Sequence, residues 1–269
     1  MPNLSLKEVF GTARPIIAMV HLAPLPGSPG FDAKGGMDAV IAAAAADLKR
    51  LRAGGVDAVM FGNEGDRPYL LKATPQSLAA MAAAIGVIKR DIGCPFGVDY
   101  LWDPVATVAL GAATGAAFAR EIFTGVYASD MGLWRPDGAQ ALRLRRELGR
   151  GDMKLLFNIN AEFASPLDSR PIEKRAASAV FSSMADILCV SGPMTGQPVD
   201  GADLKRVKDA VKDVPVFANT GVNIDNVRDI LRVADGCVIG THFKVDGNTW
   251  NPVDGGRVRR FMDVVRKLR

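Results

Sequence analysis

The stretch Leu51-Arg52-Ala53-Gly54-Gly55-Val56-Asp57-Ala58-Val59-Met60-Phe61-Gly62-Asn63-Glu64 decides the fold. It closes an amphipathic helix, turns at Ala53-Gly54-Gly55, passes through a short apolar run and ends on polar side chains. Upstream, Met37, Val40, Ile41, Ala44, Leu48 and Leu51 form one stripe at the helical spacing of about 3.6. Ala58–Phe61 lacks apolar–polar alternation, so it reads as a parallel strand buried on both faces.

The same unit recurs from end to end. Strands are expected at Ile16–Val20, Ala58–Phe61, Phe96–Val98, Ala117–Ala119, Lys154–Asn158, Ile187–Val190, Val216–Ala218 and Gly236–Ile239. Thr74-Pro75 opens the second helix as a cap followed by proline, with Leu78, Met81, Ile85 and Ile88 as its apolar face. Asp103-Pro104 opens the third in the same way. Asn223 is expected to cap the seventh helix and Asp254 the eighth. Eight βα units in 269 residues fit the roughly 250 of a (β/α)8 TIM barrel, an α/β fold. We expect one domain over residues 1–269, with 1–14 as an N-terminal extension. An open dinucleotide-binding sheet would want G-x-G-x-x-G after its first strand, and that motif is absent there.

Composition narrows the class. Apolar residues are 48% and charged residues 23%, an ordinary globular balance that needs neither disulfides nor a structural metal at this size. Cys94, Cys189 and Cys237 are odd in number and widely spaced, which argues against a disulfide framework or a zinc site. Met1–Arg14 lacks the apolar run of a signal peptide, and no window approaches ~18 uninterrupted apolar residues. No membrane span and a cytoplasmic location are expected. The net charge of +4 comes from clusters at Arg143, Arg145, Arg146 and Arg150, and at Arg257, Arg259, Arg260, Arg266, Lys267 and Arg269. Without interleaved aromatics these read as solvated helix faces, and no nucleic-acid partner is expected.

Loop lengths choose the working end. Helix-to-strand connections are short, whereas 21–36, 124–135, 161–170 and 191–200 follow strands and are long. Elaborated loops at one end place a site at the strand C-termini. Polar residues gather there too: His21; Asn63, Glu64, Asp66 and Arg67; Asp99 and Asp103; Arg120 and Glu121; Asn158, Asn160 and Glu162; Ser191 and Gly192; Asn219, Thr220 and Gly221; Gly240, Thr241, His242 and Lys244.

From these we assign His21, Glu64, Asp66, Asp99, Glu121 and His242 as the acid–base set. Thr220, Gly221, Gly240 and Thr241 are expected to hold a phosphate, because glycine lets backbone N–H groups approach an anion closely. Lys244 could add a point charge. Asn63, Arg67, Arg120, Asn158, Asn160, Ser191, Gly192 and Asn219 complete the ligand-binding set. Glu64, Asp66, Asp99 and Glu121 are expected on one rim, where carboxylates can share a divalent cation, work as acid and base, or pair with Arg67 and Arg120. No metal or cofactor is assigned. No lysine lies where Schiff-base chemistry needs one, since Lys154 begins its strand and Lys244 lies past the end of its own.

Several blocks resemble the BtpA/SgcQ family: Met19-Val20-His21-Leu22-Ala23-Pro24-Leu25-Pro26-Gly27-Ser28-Pro29, the run from Gly54 to Pro68, Ser191–Gly196, and Gly240–Lys244 followed by Asn251-Pro252-Val253-Asp254. The resemblance implies a barrel, and an association with photosystem I biogenesis or with sugar-utilisation gene clusters. The chain departs from the family pattern at Val98–Asp103, Phe118–Ile122 and Asn158–Phe163. Two readings follow. One is an isomerase, lyase or hydrolase acting on a phosphorylated sugar or nucleoside-like molecule. The other is a non-catalytic assembly factor with an exposed apolar surface from Tyr127–Trp134 and Trp250. A homo-oligomer is expected on either.

Overall fold

The computed structural model describes residues 4–269, so Met1, Pro2 and Asn3 of the expected N-terminal extension lie outside the described residues. Eight parallel strands close into a barrel: β1 (Ile16–His21), β2 (Ala58–Gly62), β3 (Phe96–Asp99), β4 (Phe118–Glu121), β5 (Lys154–Asn158), β6 (Ile187–Val190), β7 (Val216–Ala218) and β8 (Gly236–Ile239). Around the ring the order is β1-β8-β7-β6-β5-β4-β3-β2, so the first and last strands are neighbours.

Nine helices are described: α1 (Leu6–Phe10), α2 (Gly36–Gly54), α3 (Pro75–Ile88), α4 (Pro104–Thr114), α5 (Gly138–Glu147), α6 (Ile172–Phe181), α7 (Gly201–Ala210), α8 (Val227–Ile230) and α9 (Gly255–Arg266). Side chains cap them as the sequence implies. Thr74 accepts from Ser77 N, Asp103 from Val105 and Ala106 N, and Asp254 from Gly256 and Arg257 N. Asn223 instead organises the turn before a single-turn α8, its Oδ1 accepting from Asp225 and Asn226 N.

Four strands run further than their apolar runs. The expected ends at Val20, Phe61, Val98 and Ala119 become His21, Gly62, Asp99 and Glu121, and β4 starts at Phe118 rather than Ala117. The polar residues at these ends still pair, with His21 opposite Gly62 and Gly62 opposite Asp99. They sit on rigid ladder, not on loop.

The expected extension is part of the core. Leu6 and Phe10 of α1 close the bottom of the barrel against Ile17, Met60, Phe118 and Phe217. The Phe10 ring meets Phe118 edge-on at 5.3 Å and Phe217 at 6.1 Å. Facing the helices, Val20, Val59, Phe61, Val98, Ala119, Leu155 and Val190 form a second, outer core.

The long loops are also structured. Tyr127–Ser129 pairs antiparallel with Gly132–Trp134 and with Ala164–Pro166, making a small sheet from the loops after β4 and β5. Tyr127 and Trp134 are buried with Leu101, Trp102 and Ile122. The surface expected of an assembly factor therefore loses both aromatics of this segment to packing, while Leu133 stays exposed. Among the described residues no helix is long and apolar enough to cross a membrane.

Candidate active site

Pleat alternation puts Met19, Phe118, Leu156 and Phe217 inside the barrel, so His21, Arg120, Asn158 and Asn219, two residues further on, also point inward at the carboxyl end. There His21, Arg120 and Asn219, though not Asn158, border a cavity of about 210 Å³ lined by His21, Glu64, Arg120, Asn219, Thr220, Gly221, Gly240, Thr241 and His242. Sequence reasoning assigned each of these nine. It did not assign Glu162, Thr195, Asn223 and Arg257, which line the same cavity.

Its floor is a hydrogen-bonded chain. Arg120 donates through Nε to Asp99 Oδ2 at 3.0 Å, and its Nη2 pairs with the same oxygen. Arg120 Nη1 donates to Asn219 Oδ1 at 2.6 Å, and Asn219 Nδ2 donates to Ser191 Oγ at 2.8 Å and Glu162 Oε1 at 3.4 Å. Thr195, from the loop after β6, donates to Glu162 Oε2 at 2.9 Å and ties that loop over the cavity. Burial works against the Arg120 charge, but Asp99 and Glu162 outweigh it and hold the guanidinium protonated.

Beside this cation, His21 Nε2 faces Glu64 Oε1 at 3.5 Å. Burial, then the positive charges of Lys244 and Arg120, lowers His21 to about 3. Burial, then the charge of Asp99, raises Glu64 to about 8. At neutral pH the pair is therefore an uncharged imidazole facing a protonated carboxyl. Glu64 Oε2 and His21 Nδ1 are buried without a hydrogen-bond partner. The imidazole fits because residue 240 is glycine: a Cβ there would stand 2.9 Å from His21 Cε1 and Nε2.

At the far wall, Arg257 from the first turn of α9 donates through Nε to the His242 carbonyl at 2.7 Å, with Nη2 3.3 Å from His242 Nδ1. Burial and the Arg257 charge lower His242 to about 4. Gly221 adopts φ +63°, and its bare Cα lets the Gln197–Pro198 backbone pack directly against it. Both expected phosphate glycines thus have packing roles as well as a place on the cavity wall.

The rim of four carboxylates does not form. Glu64 lies in the cavity and Asp99 beneath it, whereas Asp66 turns away to accept from Leu25 N at 2.7 Å and from Asn63 Nδ2. Glu121 follows Arg120, and successive strand residues face opposite sides, so it points out of the barrel and pairs with Ile122 N. Lys244 is buried at 2.8 Å from Asp47 of α2, tying the loop after β8 to that helix rather than facing the cavity. Asn63 accepts from Leu101 N, Asn160 exchanges two bonds with the Ser191 backbone, and Gly192 N donates to Thr220 Oγ1, so these residues brace the loops. Arg67 stacks on Trp250 outside the cavity. Among the described residues no cluster of three or more His, Cys, Asp or Glu side chains is placed to hold a metal ion.

The two basic clusters separate into individual contacts. Arg145 pairs with Asp186, Arg150 with Asp152, Arg266 with Asp263 and Arg269 with Asp57, while Arg257 enters the mouth.

Residues 12–267 match the BtpA family. The chain belongs to the BtpA family. It is 52% identical to the sgc region protein SgcQ of Escherichia coli (strain K12) over 98% of both chains. It is 31% identical to the photosystem I biogenesis protein BtpA of Synechocystis sp., covering 97% of this chain and 91% of that one. Among solved structures, KGPDC from Streptococcus mutans superposes with TM-score 0.57 at 12% identity over 96% of this chain and 99% of that one. Phosphoribosyl anthranilate isomerase from Thermus thermophilus gives 0.53 at 13% identity over 95% and 100%. At such identities the BtpA-family chain shares the barrel with them, and the likeness carries the fold alone.

Proposed function

We propose that this BtpA-family chain is an enzyme that binds a small phosphorylated, sugar- or nucleoside-like molecule in the barrel mouth and transfers protons within it. The observation that carries this reading is the His21–Glu64 pair, buried at 3.5 Å beside the fixed charge of Arg120, where burial disfavours the charged form of both. Glu64, raised to about 8, can give a proton near neutral pH and take it back, while the neutral His21 imidazole can hydrogen-bond the reacting atom. Arg120 is held rigidly by Asp99 and Asn219, which suits stabilisation of negative charge developing on a substrate oxygen. A cavity of about 210 Å³ suits a compact ligand, one of whose hydroxyls can satisfy Glu64 Oε2. Arg257, with the Thr220–Gly221 and Gly240–Thr241 backbone, supplies the wall for the phosphate. A cytoplasmic, homo-oligomeric protein is part of the same proposal.

A thermal-shift screen of sugar phosphates and nucleoside phosphates, with and without divalent ions, tests it. A phosphorylated ligand should raise Tm, and Arg257→Gln should weaken its binding by about tenfold or more, the worth of a charge-assisted contact. A screen without any stabilising phosphate ester, or a ligand indifferent to both Arg257→Gln and Glu64→Gln, would remove the reading.

A further inference from the structure

A second cavity, of about 470 Å³, opens on the other side of His21, between α2 and the loop after β8. Ala23 and Pro24, Ala43 and Ala46, and the Trp250 indole give it apolar walls. Its charges do not balance. Asp47 faces both Lys244 at 2.8 Å and Arg50 at 3.3 Å, and Arg67 makes no ion pair among the described residues. The Arg67 guanidinium instead lies 3.5 Å above the Trp250 ring. A stacked guanidinium is held in place while its N–H edge remains free to bind an oxyanion.

Trp250 is 51% exposed, whereas Trp102 and Trp134, the other two tryptophans, are buried. A large aromatic half in solvent beside a fixed, unpaired cation is poor packing and good recognition chemistry. His21 borders this cavity as well as the barrel mouth, with Nε2 turned to Glu64 and Nδ1 lacking a partner.

We propose that the cavity beneath Trp250 is a second binding site, for an anion carrying a planar or apolar body, with Arg67 binding the anion and Trp250 the body. The site lies across His21 from the first, so the two together suit a ligand in two parts or a pair of ligands meeting at the imidazole. That joint role rests on the acid–base reading of His21, whereas binding beneath Trp250 does not.

Trp250 also reports on the site. Phenyl phosphate titrated into the full chain should change tryptophan emission saturably, and inorganic phosphate, lacking a body to stack, should bind at least several-fold more weakly. Arg67→Gln should weaken phenyl phosphate by about tenfold or more. Trp250→Phe should abolish the optical signal while equilibrium dialysis still detects binding. Arg257 lines the mouth and not this cavity, so Arg257→Gln should leave the midpoint of the Trp250 emission change within about twofold. The proposal is overturned if emission never saturates, if Arg67→Gln binds as the unaltered chain does, if inorganic phosphate binds equally well, or if Arg257→Gln alone weakens binding. The last result places the phosphate in the mouth and supports the first site while removing the second.

Discussion

Two layers of the barrel interior, one pleat repeat apart on the same strands, have opposite chemistry. Met19, Phe118, Leu156 and Phe217 make the lower layer and are packed dry beneath by Phe10. His21, Arg120, Asn158 and Asn219 follow them by two residues each and make the upper one. The separation is only about 7 Å along each strand. In the lower layer, removal from water stabilises apolar side chains. In the upper layer the same removal from water resets protonation, lowering His21 and raising Glu64. Burial therefore holds the fold together at one end and prepares acid–base chemistry at the other.

The largest test of this division is turnover. Once the ligand screen supplies a substrate, Glu64→Gln and His21→Ala should each lower kcat by about 10²–10⁴-fold in steady-state assays while the far-ultraviolet circular dichroism is unchanged. Normal turnover in both would remove chemistry from the upper layer. Asp99→Ala should destabilise by about 3–5 kcal/mol in denaturant unfolding, because it leaves the Arg120 guanidinium buried without its counter-charge. Phe10→Ala should also lose about 3–5 kcal/mol, through a cavity at the sealed end. Its ligand midpoint, measured well below the melting range, should not move. A Phe10 variant that folds stably yet binds ligand poorly would show that the layers are not separate.

A smaller effect sharpens the comparison through pH. Glu64 shifts from an ordinary value of 4.5 to about 8, so the folded chain keeps a proton that the unfolded chain has released. Stability is lost as pH rises through that window, and the Tm of Glu64→Gln should gain on the unaltered chain between about pH 4.5 and about pH 8. His21 falls from 6.5 to about 3, so the unfolded chain takes up a proton the folded chain refuses. That loss of stability accumulates as pH falls below about 6.5, and His21→Asn should flatten it. Parallel pH profiles for variants and parent would contradict both shifts.

The barrel was legible because each strand is a short apolar run between turn residues, and capping side chains such as Thr74, Asp103 and Asp254 mark helix starts. Nine residues of the mouth were legible because strand ends converge once the ring closes. Treating each strand as ending where its apolar run ends hid the pleat parity, and Arg120 and Glu121 were assigned to one site although neighbours on a strand face opposite ways. Arg257 was hidden in a basic cluster on a helix, and its entry into the mouth depends on how α9 packs beside β8. The small sheet joining Tyr127–Ser129 to Ala164–Pro166 arises from pairing across more than thirty residues, which no local pattern announces. Leu6 and Phe10 look like a tail until the open end of a barrel needs closing.

The claim that the upper layer holds an uncharged proton-carrying pair can be tested without a substrate. Infrared difference spectra of the unaltered chain against Glu64→Gln, recorded across a pH series, report the Glu64 carboxyl directly. A protonated carboxyl band at neutral pH, sensitive to deuteration, giving way to carboxylate near pH 8 is the predicted result. A Glu64 carboxylate already formed at neutral pH, with no titration near pH 8, would contradict it.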